Sequence, residues 1–116
     1  MSVSVEKLLD FYNKLSSLEK DICHLSAVAS TADLVVYQSR LFQFIKQMGV
    51  THSTHNNEVI KFDILTLTKI IQKLKSQKLI INYFSLNSKI RHLVILDALQ
   101  SHLKYNFLRH FGFDKR

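Results

Sequence analysis

The chain has 116 residues, 47% of them apolar, and a formal charge of +7 at pH 7. This length suits one compact domain with a hydrophobic core and is too short for two, so we expect a single domain over residues 1–116. No apolar run approaches the roughly 18 residues of a membrane span, and the acids near the N-terminus are unlike a signal peptide. We therefore expect a cytoplasmic protein, in which the single cysteine, Cys23, has no internal disulfide partner.

The positive charge is concentrated in one part of the chain. Residues 1–33 carry more acids than bases, whereas residues 64–96 contain six bases and no acid. A basic block of this kind on a folded surface suits a polyanion, and nucleic acid is the commonest polyanion inside a cell. The alternative is an ordinary solvated basic face that has no partner.

An apolar stripe with alternating spacings of three and four predicts an amphipathic helix at the N-terminus. Ser16 and Glu19 have the spacing of a capping box that would restart the helix, but the stripe runs through them, which favours one helix over residues 4–27. The stripe can belong either to the core or to a dimer seam. It consists of Leu8, Phe11, Leu15, Leu18, Ile22 and Leu25.

A second helix is predicted to begin after Asp33 and to end at Gly49, since glycine commonly closes helices in the left-handed conformation. Its apolar stripe is Leu34, Tyr37, Leu41, Phe44 and Met48. The following residues are polar and turn-like, and we expect a short helix over 56–61. Asp63 can then cap a helix that begins at Ile64.

This third main helix places apolar and basic residues on different faces. Its predicted inner face consists of Ile64, Leu67, Ile70, Ile71 and Leu74. Its predicted outer face consists of Thr66, Lys69, Lys73 and Ser76.

Two interpretations remain for the residues after Leu74. The β-branched and aromatic segments 79–84 and 90–96 predict a hairpin with Asn87 near its tip. The competing interpretation is one helix over residues 86–110, and periodicity alone leaves the two nearly even. Residues 98–110 are predicted to be helical in either case.

Residues 41–96 resemble a winged helix-turn-helix of the MarR kind, and most closely the staphylococcal accessory regulator family of small basic transcription regulators. The segment 65–80 resembles the recognition helix running into a wing strand, residues 85–89 the wing tip and residues 91–97 the returning strand. The resemblance favours the hairpin and implies an α+β, mainly helical fold with N-terminal and C-terminal dimerisation helices. The alternative is an all-α bundle.

The resemblance implies a homodimer that binds A·T-rich promoter DNA and controls virulence or surface-protein genes. The recognition helix would enter the major groove, and the wing would lie at the minor groove. The expected DNA-binding residues are Thr66, Thr68, Lys69, Gln72, Lys73, Asn87, Ser88, Lys89 and Arg91. The expected dimerisation residues are Leu8, Phe11, Leu15, Leu18, Leu99, Leu103 and Phe107.

The wing departs from the family pattern. That family usually carries Asp-Glu-Arg at the wing and an arginine before the turn, where this chain has Ser88, Lys89, Ile90 and Phe84. The second functional hypothesis is therefore an all-helical interaction module, including an anti-activator that binds another regulator through the basic face.

Other functional classes have little support in the sequence. No glycine-rich phosphate loop, nucleophile elbow or paired acid motif occurs, so we do not expect an enzyme. His52 and His55 lie three residues apart, but they lack the neighbouring ligands of a zinc site, and we expect no metal and no cofactor. Cys23 is either a small buried hydrophobe or an oxidant sensor, and the first is favoured.

Overall fold

The structure is a computed structural model that describes residues 4–31, 36–55, 58–82 and 84–99. The described part of the chain is mixed α+β and mainly helical. It contains five helices and two small antiparallel hairpins. None of the helices in these ranges is both long enough and apolar enough to cross a membrane.

Two helices, rather than one, form the N-terminal region. Helix α1 spans Val5–Asn13 and helix α2 spans Ser17–Thr31. Ser16 Oγ accepts a hydrogen bond from the Glu19 N–H at 3.3 Å, and the Glu19 carboxylate accepts one from the Ser16 N–H at 2.9 Å. The prediction of one helix over 4–27 was wrong because this capping box satisfies backbone groups at a new helix start.

Helix α3 spans Gln38–Gln47, and its predicted end at Gly49 is confirmed. Gly49 has a φ of +89°, the left-handed conformation in which glycine has no Cβ penalty. The helix begins later than predicted, at Gln38, because Tyr37 has an extended backbone and is the N-cap; Tyr37 is 69% exposed and does not belong to the buried stripe. Leu34 lies outside the described residues.

A hairpin follows α3 where a short helix had been predicted. Strand β1 (His52–His55) pairs with strand β2 (Glu58–Lys61) in antiparallel register, with Thr54 opposite Val59. Phe62 is buried directly after β2, and its ring stacks on Phe42 of α3 at 5.4 Å between centroids. Val59 and Ile60 are adjacent, and so short an apolar pair among polar residues does not distinguish a strand from a helix, which is why the prediction failed.

Helix α4 spans Ile64–Ser76, as predicted, and a second hairpin follows it. Strand β3 is Ile80–Ile81 and strand β4 is Ser85–Leu86. The predicted second strand over residues 90–96 is wrong, because helix α5 spans Arg91–Leu99. Asn87 accordingly lies after β4 and not at the tip of a hairpin.

Helix α5 forms because apolar residues at helical spacing together form one face that is buried against the core. Ile90 and Val94 are one turn apart and both fully buried. Their β-branched side chains favour a strand locally, but packing of α5 against α2 decides the conformation. The all-α alternative anticipated this helix but not the hairpins.

Helix α2 occupies the centre of the core. It packs against α5 and β4, while α3 packs against α4. Ser30 connects α2 to the second hairpin, since its Oγ accepts the Leu86 N–H at 3.1 Å and donates to the Ser26 carbonyl at 2.7 Å. These contacts fix the position of the hairpin that follows α4.

A polar network joins α1, α2 and α5. The Tyr12 hydroxyl donates to Asp97 Oδ2 at 2.9 Å and lies 2.7 Å from His24 Nε2. Because the only hydroxyl proton is given to Asp97, Nε2 must donate to Tyr12. Burial and the neighbouring Asp97 carboxylate raise the pKa of Tyr12, and burial lowers the pKa of His24. The network therefore holds a neutral histidine at pH 7.

Candidate nucleic-acid interface

Asp63 begins α4 as an N-cap. Its Oδ1 accepts both the Thr66 N–H and the Thr66 hydroxyl, each at 2.8 Å. These hydrogen bonds lower the pKa of Asp63, which is solvent-exposed. The predicted cap is confirmed, and it places a carboxylate at the N-terminal end of α4.

The C-terminal end of α4 carries a lysine where glycine is usual. The Leu79 N–H donates to the Leu74 carbonyl and the Lys78 N–H donates to the Lys75 carbonyl, both at 3.0 Å, which is a Schellman motif. Lys78 occupies the left-handed position with a φ of +63°, whereas Gly49 takes the equivalent position after α3. A lysine here is strained, and its ammonium group extends the basic residues of α4 past the end of the helix.

The exposed face of α4 contains Lys69, Lys73 and Ser76 as predicted, but not Thr66. The predicted inner-face residue Ile64 is 46% exposed because it lies in the first turn of the helix. Thr66 is buried, and its hydroxyl is bonded to Asp63 and, at 3.3 Å, to the Lys61 carbonyl, so it is a capping residue and not a DNA contact. The solvent-facing strip runs instead through Leu65, Lys69, Gln72 and Ser76 at spacings of four, three and four. We call these four residues the outer strip.

Lys73 pairs with a buried carboxylate, although its own side chain is 42% exposed. Its Nζ lies 2.8 Å from Glu19 Oε2, and the Glu19 side chain is only 8% exposed. Burial raises the pKa of Glu19, but the hydrogen bonds from Lys73 and Ser16 outweigh burial and lower it overall. Lys73 therefore neutralises a buried carboxylate of α2, and a phosphate would have to compete with Glu19 for its ammonium group, so its DNA contact stays a prediction.

Thr68 is also held within the chain. Its hydroxyl donates to the Ile64 carbonyl at 2.9 Å and accepts a hydrogen bond from the Gln38 side-chain amide. The second bond links the first turn of α3 to α4. Thr68 is half-buried and borders the outer strip without belonging to it.

The residues predicted for the wing surround the start of α5. The Asn87 amide donates to the Lys78 carbonyl at 2.8 Å, and its side-chain oxygen accepts the Lys89 N–H at 3.0 Å. Arg91 donates to the Leu86 carbonyl at 3.1 Å. Ser88 and Lys89 are exposed, whereas Asn87 and Arg91 are half-buried and hold the local backbone.

Three exposed residues of this region were absent from the predicted site. Lys75 lies in the last turn of α4, Lys78 lies just beyond it, and Leu65 is 60% exposed in the first turn. Lys75 and Lys78 belong to the acid-free block, so the sequence contained them. Leu65 could have been predicted from its spacing, because it lies four residues before Lys69 and seven before Gln72 and therefore on the same face of the helix.

Several predicted dimerisation residues are used by the core of one chain. Leu8 and Leu15 are buried, while Phe11 and Leu18 are partly buried against the same core. Leu8 and Leu15 therefore have almost no surface left for a second copy, and the core interpretation of this stripe is correct for them. The backbone of Leu99 lies in α5, and Leu103 and Phe107 lie outside the described residues.

Cys23 is completely buried, and burial raises the pKa of its thiol to about 12. A thiol with so high a pKa is almost entirely protonated at pH 7 and is a poor nucleophile. Among the residues that the structure describes, no three His, Cys, Asp or Glu residues come close enough to hold a metal ion.

Comparison of the chain with protein-family models, with curated proteins and with solved structures finds no match.

Proposed function

We propose that the chain is a DNA-binding protein that places the outer strip of α4 against the major groove of duplex DNA. The observation that carries this proposal is the basic, acid-free character of the exposed side of α4 and the turn after it. Lys69, Lys75 and Lys78 are all exposed there, and residues 64–96 contain no acid. Such a surface attracts phosphates without repelling them locally.

The two ends of α4 have different roles in this proposal. Asp63 places a negative charge at the N-terminal end, so phosphates are best accommodated toward Lys75 and Lys78 at the other end. Between them, Gln72 has the donor and acceptor pair that matches adenine, and Lys69 can reach guanine or phosphate. The exposed Leu65 suits an apolar contact with a thymine methyl group.

The regulatory part of the proposal rests on the resemblance to winged helix-turn-helix regulators. We propose A·T-rich promoter DNA as the target and a homodimer as the binding form. The winged-helix assignment is itself part of the proposal, with the short β3–β4 hairpin in the position of the wing. Since Leu8 and Leu15 are buried, a dimer would use other surfaces, and Leu93 and Leu96 of α5 are exposed.

The proposal is tested by fluorescence anisotropy with an A·T-rich duplex over a series of salt concentrations. Each phosphate neutralised contributes roughly −0.9 to the slope of log affinity against log salt. Replacing Lys69 and Lys75 together with methionine should therefore flatten the slope by about two units. The matched control replaces Lys7 of α1 and Lys14 at the C-terminal end of α1, which lowers the net charge equally and should leave the slope almost unchanged. Equal effects of the two double variants would contradict a specific role for α4.

A second candidate function is binding of an acidic protein partner through the same face. It is favoured by Ile64 and Leu65, which are 46% and 60% exposed at the start of α4, since apolar residues among basic ones suit a protein surface. The duplex titration separates the candidates, because a module for an acidic protein should show no saturable binding to duplex DNA at physiological salt.

A further inference from the structure

A cavity of about 360 Å³ lies between α3, α4 and the second hairpin. Leu41, Ile71 and Phe84 form its buried apolar lining, and Val36 adds to it. Tyr37, Gln38 and Lys75 complete the lining. Cavities that hold small ligands measure roughly 300–1,000 Å³ and combine apolar walls with a few polar groups, so both the volume and the lining fit a ligand site.

The polar groups of this cavity favour an anion. Among the described residues that line it there is one cation, Lys75, and no acid. Within the described part of the chain, the Lys75 ammonium has neither a hydrogen-bond nor an ion-pair partner. Lys75 lies one turn after Ile71 on α4, so its charge stands next to the apolar wall. A ligand with an apolar body and one negative group would satisfy both features.

The N-terminal end of α3 also makes the electrostatic potential in the cavity more positive, though less strongly than Lys75 does. Tyr37 and Gln38 belong to the lining, and Tyr37 makes no side-chain hydrogen bond to the first turn of α3. The N-terminus of a helix carries partial positive charge, which stabilises an anion nearby.

The size of the cavity favours a small molecule over a protein partner. A stable protein interface buries about 800 Å² on each side and involves some 20–30 residues, whereas seven residues line this cavity in the part of the chain that the structure describes. We propose that the cavity binds a small apolar carboxylate whose hydrocarbon part contacts Leu41, Ile71 and Phe84 and whose carboxylate pairs with Lys75. This proposal does not depend on DNA binding by the chain.

The test is isothermal titration calorimetry of the full chain with 4-phenylbutyrate and with its uncharged analogue, 4-phenyl-1-butanol. We expect saturable binding of one 4-phenylbutyrate per chain. Lys75→Met keeps a long aliphatic side chain but removes the charge. It should lower the affinity for 4-phenylbutyrate about fivefold. The same variant should leave 4-phenyl-1-butanol within about twofold of its original affinity. Lys14→Met, at the exposed C-terminal end of α1, is the matched control and should leave the affinity for both ligands unchanged.

Tyr37→Ala provides an independent variant that does not disturb the core, since Tyr37 is 69% exposed. It should lower the affinity for 4-phenylbutyrate and for 4-phenyl-1-butanol by the same factor, because it removes apolar contact area and no charge. Absence of saturable 4-phenylbutyrate binding to the unmodified chain would overturn the proposal. So would equal effects of Lys75→Met and Lys14→Met, or retention of full affinity for both ligands in Tyr37→Ala.

Discussion

Lys73→Met is expected to destabilise the protein through Glu19 and not through α4 itself. The substitution leaves the Glu19 carboxylate, which is 8% exposed, without the ammonium group that lies 2.8 Å from Oε2. Removing the partner of a buried charged acceptor costs about 1–3 kcal/mol or more. Because the Lys73 side chain is 42% exposed and Ser16 still donates to Glu19, we expect a loss of about 1–2 kcal/mol in the free energy of unfolding.

The pH dependence of this loss identifies its cause. The folded pKa of Glu19 is lowered, so its ionised form contributes stability that is present above pH 4.5 and lost as the pH falls through the folded pKa. Lys73→Met should raise that pKa, because burial then has less opposition. The difference in unfolding free energy between the two proteins should therefore be largest near pH 7 and should shrink toward pH 4.

The assay is urea unfolding followed by circular dichroism at several pH values. Lys14→Met is the control, because the Lys14–Asp10 pair is exposed on both sides and should contribute less than about 0.5 kcal/mol. Glu19→Gln in the Lys73→Met background should recover part of the loss, since glutamine also completes a capping box. A Lys73→Met loss no larger than that of Lys14→Met, or one independent of pH, would refute the reasoning.

Three further predictions concern single side chains. Lys78→Gly should stabilise the protein by about 0.5–1 kcal/mol in urea unfolding while weakening duplex binding, because it relieves a left-handed lysine and removes a cation; loss of stability would contradict the strain argument. Tyr12→Phe should cost about 1 kcal/mol and speed hydrogen exchange in α5, and unchanged exchange would show that the network does not anchor that helix. The Cys23 thiol should react with a disulfide reagent only after unfolding in urea, and rapid reaction of the native protein would contradict its burial.

The sequence predicted those elements whose boundaries are marked by local chemistry. Asp63 and Gly49 identify a helix start and a helix end because a side-chain cap and a left-handed glycine act over a few residues. The capping box at Ser16 was equally local, but an apolar stripe that crosses the break outweighed it. The stripe misled because both helices bury the same side against one core, so periodicity continues where the backbone does not.

The elements that were missed depend on packing between distant residues. Ile90, Val94 and Ile95 are β-branched and favour a strand locally, yet burial of Ile90 and Val94 against α2 makes this segment helical. For the candidate site, Lys69 and Gln72 are exposed as predicted. The Lys73 ammonium is paired with Glu19, and the sequence did not predict this pair because Glu19 lies far away in the chain. No pattern within α4 reveals an acid that another helix supplies.

The central claim is that duplex DNA contacts the outer strip of α4 and the lysines at its C-terminal end. Nuclear magnetic resonance of the uniformly ¹⁵N-labelled chain, titrated with an A·T-rich duplex, tests it most directly. We predict the largest amide shift changes from Leu65 to Lys78, with little change in α1. The claim is contradicted if the duplex produces no saturable shift changes, or if the largest changes fall in α1 and the first turns of α2.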